Sequence, residues 1–365
     1  MPTPWQRDLA RDAARLEAWL AKRLPEASDV AVRGLRAPDS SGFSNDTLLF
    51  ELETRGAGGE RREALVVRIR PTGFQVFPDY DLGLQFRTMQ RLARLGIPVP
   101  RVRWIEEEDC GVLGAPFYLM DRVDGRVPTD RPPYHAGGWM TEISPAEREA
   151  IWWGGLECMA RIHRLDPLAS GFGFLARPEL GPTPFRQQLA YYERYLAWAA
   201  RGLPQPTLEA ALAWLRANEP ADPRTVLLWG DARIGNVIFD GTRPAAVLDW
   251  EMVTLGSPEE DLAWSIFVDR HHSEGMGVPR LPGFPSYEET VARYEALTGF
   301  EVRNLHFWQV FAGFRFGVIM ARIAQQMVHY GVMGAEQGRA FELDNMVTRL
   351  LAKLLELPPP GEVPA

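Results

Sequence analysis

Apolar positions along this chain recur in two rhythms, with a change of character after about residue 123. Over residues 4–24 they fall at helical spacing, at Leu9, Ala13, Leu16, Trp19 and Leu20, which predicts an amphipathic helix. Strand-like runs follow at 30–35, 47–52 and 63–70. A second helical pattern over 81–95 is carried by Leu82, Phe86, Met89, Leu92 and Leu95. Gly96-Ile97-Pro98 ends that helix, and two more strand-like runs cover 102–106 and 116–123. The Pro- and Gly-rich stretch 127–139 reads as a linking loop. Beyond it the pattern turns helical. Ser144-Pro145 with Glu147 is a capping start for a helix reaching about His163, and further helices are predicted over 184–201, 207–217, 258–269, 303–330 and 335–357. The fold class this implies is α+β, in two lobes: a small, mostly antiparallel sheet with a helix over residues 1–123, and a larger helical lobe over 124–365.

The helical part is interrupted by one stretch of different character. Val226-Leu227-Leu228 and Val237-Ile238-Phe239 flank the polar loop Trp229-Gly230-Asp231-Ala232-Arg233-Ile234-Gly235-Asn236, and Ala245-Ala246-Val247-Leu248 leads into Asp249-Trp250-Glu251. Apolar runs of this length read as buried strands, which bring Asp231, Asn236 and Asp249 to one edge of a core. A carboxylate at the mouth of a loop orients a hydroxyl and accepts its proton, while an amide oxygen and a second carboxylate suit a hard divalent cation. A magnesium ion between such ligands and phosphate oxygens stabilises the charge of phosphoryl transfer.

The motifs Gly230-Asp231-x-x-x-x-Asn236, Leu248-Asp249-Trp250-Glu251 and Leu255-Gly256-Ser257-Pro258-Glu259-Glu260-Asp261-Leu262-Ala263-Trp264 resemble those of the aminoglycoside phosphotransferase family of kinase-like enzymes. The nearest likeness is to the branch that includes kinase domains associated with acyl-CoA metabolism. The resemblance implies a protein-kinase-like fold that binds ATP and Mg2+. It casts Asp231 as the catalytic base and Asn236 and Asp249 as magnesium ligands. Asp261 then holds the backbone of the catalytic loop, and Glu251 supports metal-bound water from a second layer. It also makes Ser41, Gly42, Phe43, Ser44 and Asn45 the nucleotide loop, although one glycine in a serine-rich hairpin is equally an ordinary turn. On the third strand Arg68 takes the place of the phosphate-binding lysine, with Arg70, of the same strand parity, as the alternative. Backbone groups from Met120 through Asp121 to Val123 would meet adenine.

Three departures from the family pattern stand out. Gln85 falls where a kinase carries the glutamate that pairs with the strand cation, and Asp81, one turn earlier, is a candidate substitute. Trp229 replaces the histidine that usually opens the catalytic loop, which predicts altered loop support with the chemistry retained. The lysines of the chain are Lys22 and Lys353, both in terminal helices, so there is no Gly-Lys phosphate loop and any phosphate-binding cation is an arginine.

Composition narrows the remaining choices. An apolar fraction of 46% and a charged fraction of 24% are those of a globular protein, and a formal charge of -8 argues against nucleic acid as the main partner. Cys110 and Cys158 make no metal or disulfide pattern, and the paired His271 and His272 point apart too much to share a metal. His163 reads as a structural histidine. No apolar run is read as approaching the ~20 residues of a membrane span, and no signal peptide is evident, so the expectation is a cytoplasmic protein without a membrane partner. Oligomeric state is open.

The function expected is Mg2+-dependent transfer of the ATP γ-phosphoryl group to a hydroxyl of a small-molecule acceptor, an aminoglycoside, a hydroxyacyl thioester or another alcohol. The alternative is a non-catalytic nucleotide-binding module of the same fold, favoured by Gln85, Trp229 and the missing lysine. A metal-dependent hydrolase using the same acidic groups is the third reading.

Overall fold

The computed structural model describes residues 7–38, 46–221 and 224–361. The chain divides into two compact units, one of Met1–Ala93 and Pro100–Val123, the other of Arg94–Val99 and Asp124–Ala365.

Unit 1 is built on one sheet. After helix α1 (Leu9–Ala21) come strands β1 (Ala27–Arg36), β2 (Asp46–Gly56) and β3 (Gly59–Ile69), then helix α2 (Leu82–Arg94) and strands β4 (Val102–Glu106) and β5 (Phe117–Asp121). The strands pair antiparallel in the order β1-β2-β3-β5-β4. Period-2 alternation sorts their side chains onto two faces. Leu48, Phe50, Leu52, Leu65, Val67, Ile69, Phe117 and Leu119 form one buried core with Leu16, Trp19 and Leu20 of α1. On the opposite parity Arg68 of β3 stands across from Tyr118 of β5. Helix α2 reaches Tyr118 through Gln85 and Phe86.

Unit 2 carries helices α3 (Pro145–His163), α4 (Pro184–Ala200) and α5 (Pro206–Ala217), then short strands β6 (Val226–Leu228), β7 (Val237–Asp240), β8 (Arg243–Val247) and β9 (Thr254–Gly256), and then helices α6 (Pro258–Arg270), α7 (Tyr287–Thr298), α8 (Leu305–His329), α9 (Ala335–Leu343) and α10 (Met346–Leu354). The strands form two antiparallel ladders, β6 with β9 and β7 with β8. Helix α8 packs against α4, α5, α6, α9 and α10.

Two features of this unit correct the sequence expectations. The region read as one helix over 335–357 is two, because the Asn345 carboxamide oxygen accepts the N–H groups of Val347 and Thr348 and starts a new helix there. An apolar stretch of membrane-spanning length does exist. Helix α8 contains an 18-residue window of mean hydropathy 1.2, and 89% of that window is buried within the protein, as in a core helix. The capping box that starts α7, Ser286 with Glu289, was readable in sequence although no helix was assigned there.

Candidate active site

The polar loop after β6 is held at nearly every atom that could move. Gly230 takes φ +93, and a Cβ at that position would lie 2.1 Å from the Met252 carbonyl oxygen, so only glycine fits. Asp261, at the first turn of α6, accepts the N–H groups of Trp229 (2.7 Å) and Gly230 (3.0 Å). Its carboxylate is oriented by His163 Nε2 at 3.0 Å, and His163 Nδ1 lies 2.6 Å from the Tyr294 hydroxyl. His163 is therefore structural, the role expected of it, and Asp261 grips the loop backbone. The Trp229 indole donates to the Leu248 carbonyl at 2.7 Å, so it ties this loop to the next one.

Asp231 lies at the centre of this support. Its Oδ1 accepts from Trp264 Nε1 at 2.7 Å and its Oδ2 from Asn236 Nδ2 at 2.6 Å, while Arg233 Nε donates to both at 3.2 and 3.3 Å. Asn236 Nδ2 also donates to the Asp231 carbonyl at 3.1 Å. With both amide protons committed to Asp231, the carboxamide turns its oxygen to the opposite side. The Asn236 backbone carbonyl accepts the Leu248 N–H at 2.8 Å, which fixes the segment leading into Asp249. Asp249 is half-buried and takes the left-handed φ of 61.

Arg233, which the sequence reading passed over, joins these acids. It is 18% exposed, and its Nη1 donates to Asp130 at 2.6 Å. Burial works against its charge, but Asp130, Asp231 and Asp249 together hold its proton more firmly than usual. Asp130 in turn lies 3.6 Å from His272 Nε2. Burial lowers His272 to about 4 and His271 to about 3, so both are neutral near pH 7. The stretch 127–139, expected as a plain linker, thus supplies Asp130 to the site. It also sends Tyr134 and His135 into the core, where both hydrogen-bond Asp269. No sequence signal marks Asp130. Arg233 was visible as a cation two residues after Asp231, and Trp264 as the end of the Asp-Leu-Ala-Trp motif.

The oxygens that Asn236 and Asp249 carry, an amide and a carboxylate, are of the kind that a hard cation takes. Among the described residues no group of three or more His, Cys, Asp or Glu forms a metal cage. Magnesium shared with water and phosphate oxygens requires no such cage.

In unit 1, Gln85 is buried and accepts from the Tyr118 hydroxyl at 3.2 Å, so it reaches the sheet face that carries Arg68. Asp81, the candidate substitute for the missing glutamate, caps α2: its Oδ1 accepts the Leu84 N–H at 2.7 Å. Met120 pairs with Val66 and Val102 in the sheet, the Asp121 N–H donates to the Arg101 carbonyl, and the Asp121 carboxylate pairs with Arg103. Val123 is the last residue of the unit. Ser41, Gly42, Phe43, Ser44 and Asn45 lie outside the described residues.

Known proteins resemble this chain over most of its length. Acyl-CoA dehydrogenase family member 11 of Gallus gallus is 31% identical over 361 residues, 95% of this chain and 43% of that protein. The chain spans less than half the length of the curated relatives it matches. A Ralstonia eutropha jmp134 protein, provisionally described as an aminoglycoside phosphotransferase, has a solved structure that aligns with a TM-score of 0.67 and 26% identity over 93% of this chain and 96% of that one. A thermostable mutant of aminoglycoside phosphotransferase APH(4)-Ia, solved as a ternary complex with ADP and hygromycin B, shares the fold at 16% identity and a TM-score of 0.53, covering 93% and 98% of the two chains. The two-lobed, kinase-like α+β architecture is therefore that of these enzymes. A model described as the phosphotransferase enzyme family matches residues 36–298, which takes in the loop of Asp231, the Asp249 segment and the helix of Asp261, and the chain belongs to that family.

Proposed function

We propose that this protein transfers the γ-phosphoryl group of ATP, with magnesium, to a hydroxyl of a small molecule. The observation that carries the reading is the double hydrogen bond from Asn236 to Asp231, joined through the Asn236 carbonyl to the segment of Asp249. It brings the base and both metal-ligand candidates into one hydrogen-bonded unit. Asp231 orients the acceptor hydroxyl and takes its proton as the acceptor oxygen bonds to the γ-phosphorus. The bond from that phosphorus to the β,γ-bridging oxygen breaks, ADP leaves, and the proton passes from Asp231 to water. Asn236 and Asp249 hold magnesium, which when bound neutralises charge on the phosphate oxygens. Arg68 and the segment Ser41–Asn45 hold the phosphates, with Met120, Asp121 and Val123 at the adenine. The ADP complex of the APH(4)-Ia mutant supports a nucleotide in this fold. The relatedness to acyl-CoA dehydrogenase family member 11 favours a hydroxylated metabolite, such as a hydroxyacyl thioester, over an aminoglycoside.

The test is magnesium-dependent ATP consumption by the purified protein, first with water as acceptor and then with a panel of hydroxyl compounds. Asp231→Asn is expected to reduce turnover at least 1,000-fold while Mg·ADP affinity stays within about threefold. Full turnover in that variant overturns the assignment. Binding of nucleotide without any turnover in the parent protein would make it a non-catalytic nucleotide-binding module.

A further inference from the structure

The family motifs account for the backbone of the Asp231 loop. They do not account for what fixes its carboxylate. The indole of Trp264 is 3% exposed and packs against Phe316, its ring tilted by 44° at 5.5 Å between ring centroids. Its Nε1–H ends on Asp231 Oδ1. Indole is a donor only, so this contact holds the carboxylate and cannot compete with it for a proton.

Beside the same indole lies a buried arginine. Arg315 sits in the middle of the apolar helix α8 and is 1% exposed. Its Nη2 donates to the Gly230 carbonyl at 3.0 Å, while Nε and Nη1 have no hydrogen-bond partner, and the nearest carboxylate oxygen, Glu260 Oε2, is 4.0 Å away. Burial works against this cation, while the Tyr192 hydroxyl and the Glu260 and Asp261 carboxylates around it hold its charge, at a cost that an apolar side chain of similar size would spare. What it gains is contact with the faces of Trp264 (4.8 Å), Tyr192 (5.2 Å) and Phe311 (5.6 Å), together with the Gly230 bond. Gly230 is thus held at its N–H by Asp261 and at its carbonyl by Arg315, and the side chain of the next residue is held by Trp264.

We propose that Trp264 and Arg315 are positioning residues for Asp231: the indole fixes the carboxylate, and the guanidinium fixes both the indole and the peptide that precedes the base. This rests on the reading of Asp231 as the general base. A carboxylate held on both oxygens by Trp264 and Asn236 cannot rotate, which keeps it aimed at the hydroxyl.

Two measurements on the full chain separate this inference from the reading beneath it. The first needs no turnover. In protein labelled with 15N at the tryptophan indoles, the Trp264 N–H signal, identified by its loss in Trp264→Phe, is expected to move when Asp231 is replaced by Ala. A signal that stays in place overturns the contact. The second uses Mg·ATP hydrolysis. Trp264→Phe, which keeps an aromatic ring in the site, is expected to lower kcat about tenfold or more, the worth of one charge-assisted hydrogen bond, with KM for ATP unchanged. Arg315→Met is expected to show the same split, and Arg315→Lys, which can still donate to the Gly230 carbonyl, to recover part of the rate. A kcat within twofold of the parent in Trp264→Phe, or a loss confined to KM, overturns the positioning role. Undiminished hydrolysis in Asp231→Asn instead overturns the general-base assignment, and the indole signal still reports whether the contact exists.

Discussion

At the scale of single residues, the loop of Asp231 tolerates little change because its backbone and its side chains are fixed independently. Gly230→Ala would place a Cβ against the Met252 carbonyl at an already left-handed φ. The expected cost is about 3 kcal/mol, read as a fall in melting temperature with a loss of ATP turnover. A variant that melts with the parent would mean that the Met252 peptide yields. In the other unit, Arg68→Ala is expected to raise KM for ATP about tenfold or more with little change in kcat, since a phosphate loses a charged donor. An unchanged KM would transfer that role to Arg70. The placement of Asp231 and Asn236 in one loop between short strands, with Asp249 just beyond the next strand, was legible from polar residues set between short apolar runs. Arg233, Asp130, Trp264 and Arg315 were not legible as a group. Their partners lie 2, 103, 33 and 85 residues away, and only the folded chain brings those together.

At the scale of elements, the segment after α6 sets the surroundings of the two adjacent histidines, whose rings lie 5.3 Å apart between centroids. Residues His271–Gly275 continue the helix as a π-helical turn, which buries His272 beside the Tyr134 ring and His271 against Phe316. Burial is the main reason that both stay neutral. His272 also faces Arg233, which opposes its charge, and Asp130 and Asp269, which favour it without prevailing. The sign of the pH effect follows. Both groups bind protons near pH 6.5 when unfolded and only at about 4 and about 3 when folded, so between pH 6.5 and 4 the unfolded chain holds more protons and stability falls as pH falls. Each histidine accounts for about 2 kcal/mol between pH 7 and pH 5. Urea unfolding at those two pH values is expected to show a smaller loss in a variant carrying His271→Asn and His272→Asn. Equal losses would mean that the rings are protonated inside the fold. Long periodic helices such as α3, α4 and α8 were legible at this scale. The break at Asn345 was not, because the apolar spacing runs on through it while the side-chain cap that starts the next helix is a single residue.

At the scale of the whole molecule, sequence placed the division between the two units after residue 123, yet the short segment 94–99 belongs with the second unit. The reason is local: the Pro98 carbonyl accepts the Val247 N–H at 2.8 Å, and the Gly96 carbonyl accepts from Arg161. Composition cannot reveal such a bond, since Gly-Ile-Pro after a helix is an ordinary stop. The Pro98–Val247 bond also anchors the end of β8, two residues before Asp249, so the metal-ligand candidate depends on a stretch of chain far from it in sequence. The nucleotide binding proposed above is open to test in overall stability. A ligand at 100 times its dissociation constant stabilises the folded state by about 2.7 kcal/mol, enough for a rise of several degrees in melting temperature in a protein of this size. Mg·ATP is therefore expected to raise the melting temperature of the parent and of Asp231→Asn alike, because the base takes no part in holding the nucleotide. Asp249→Ala is expected to lose most of the rise, and ATP with excess chelator to give less than Mg·ATP in every variant. An equal rise in Asp249→Ala would remove that residue from the metal site and leave Asn236 as the ligand to test next.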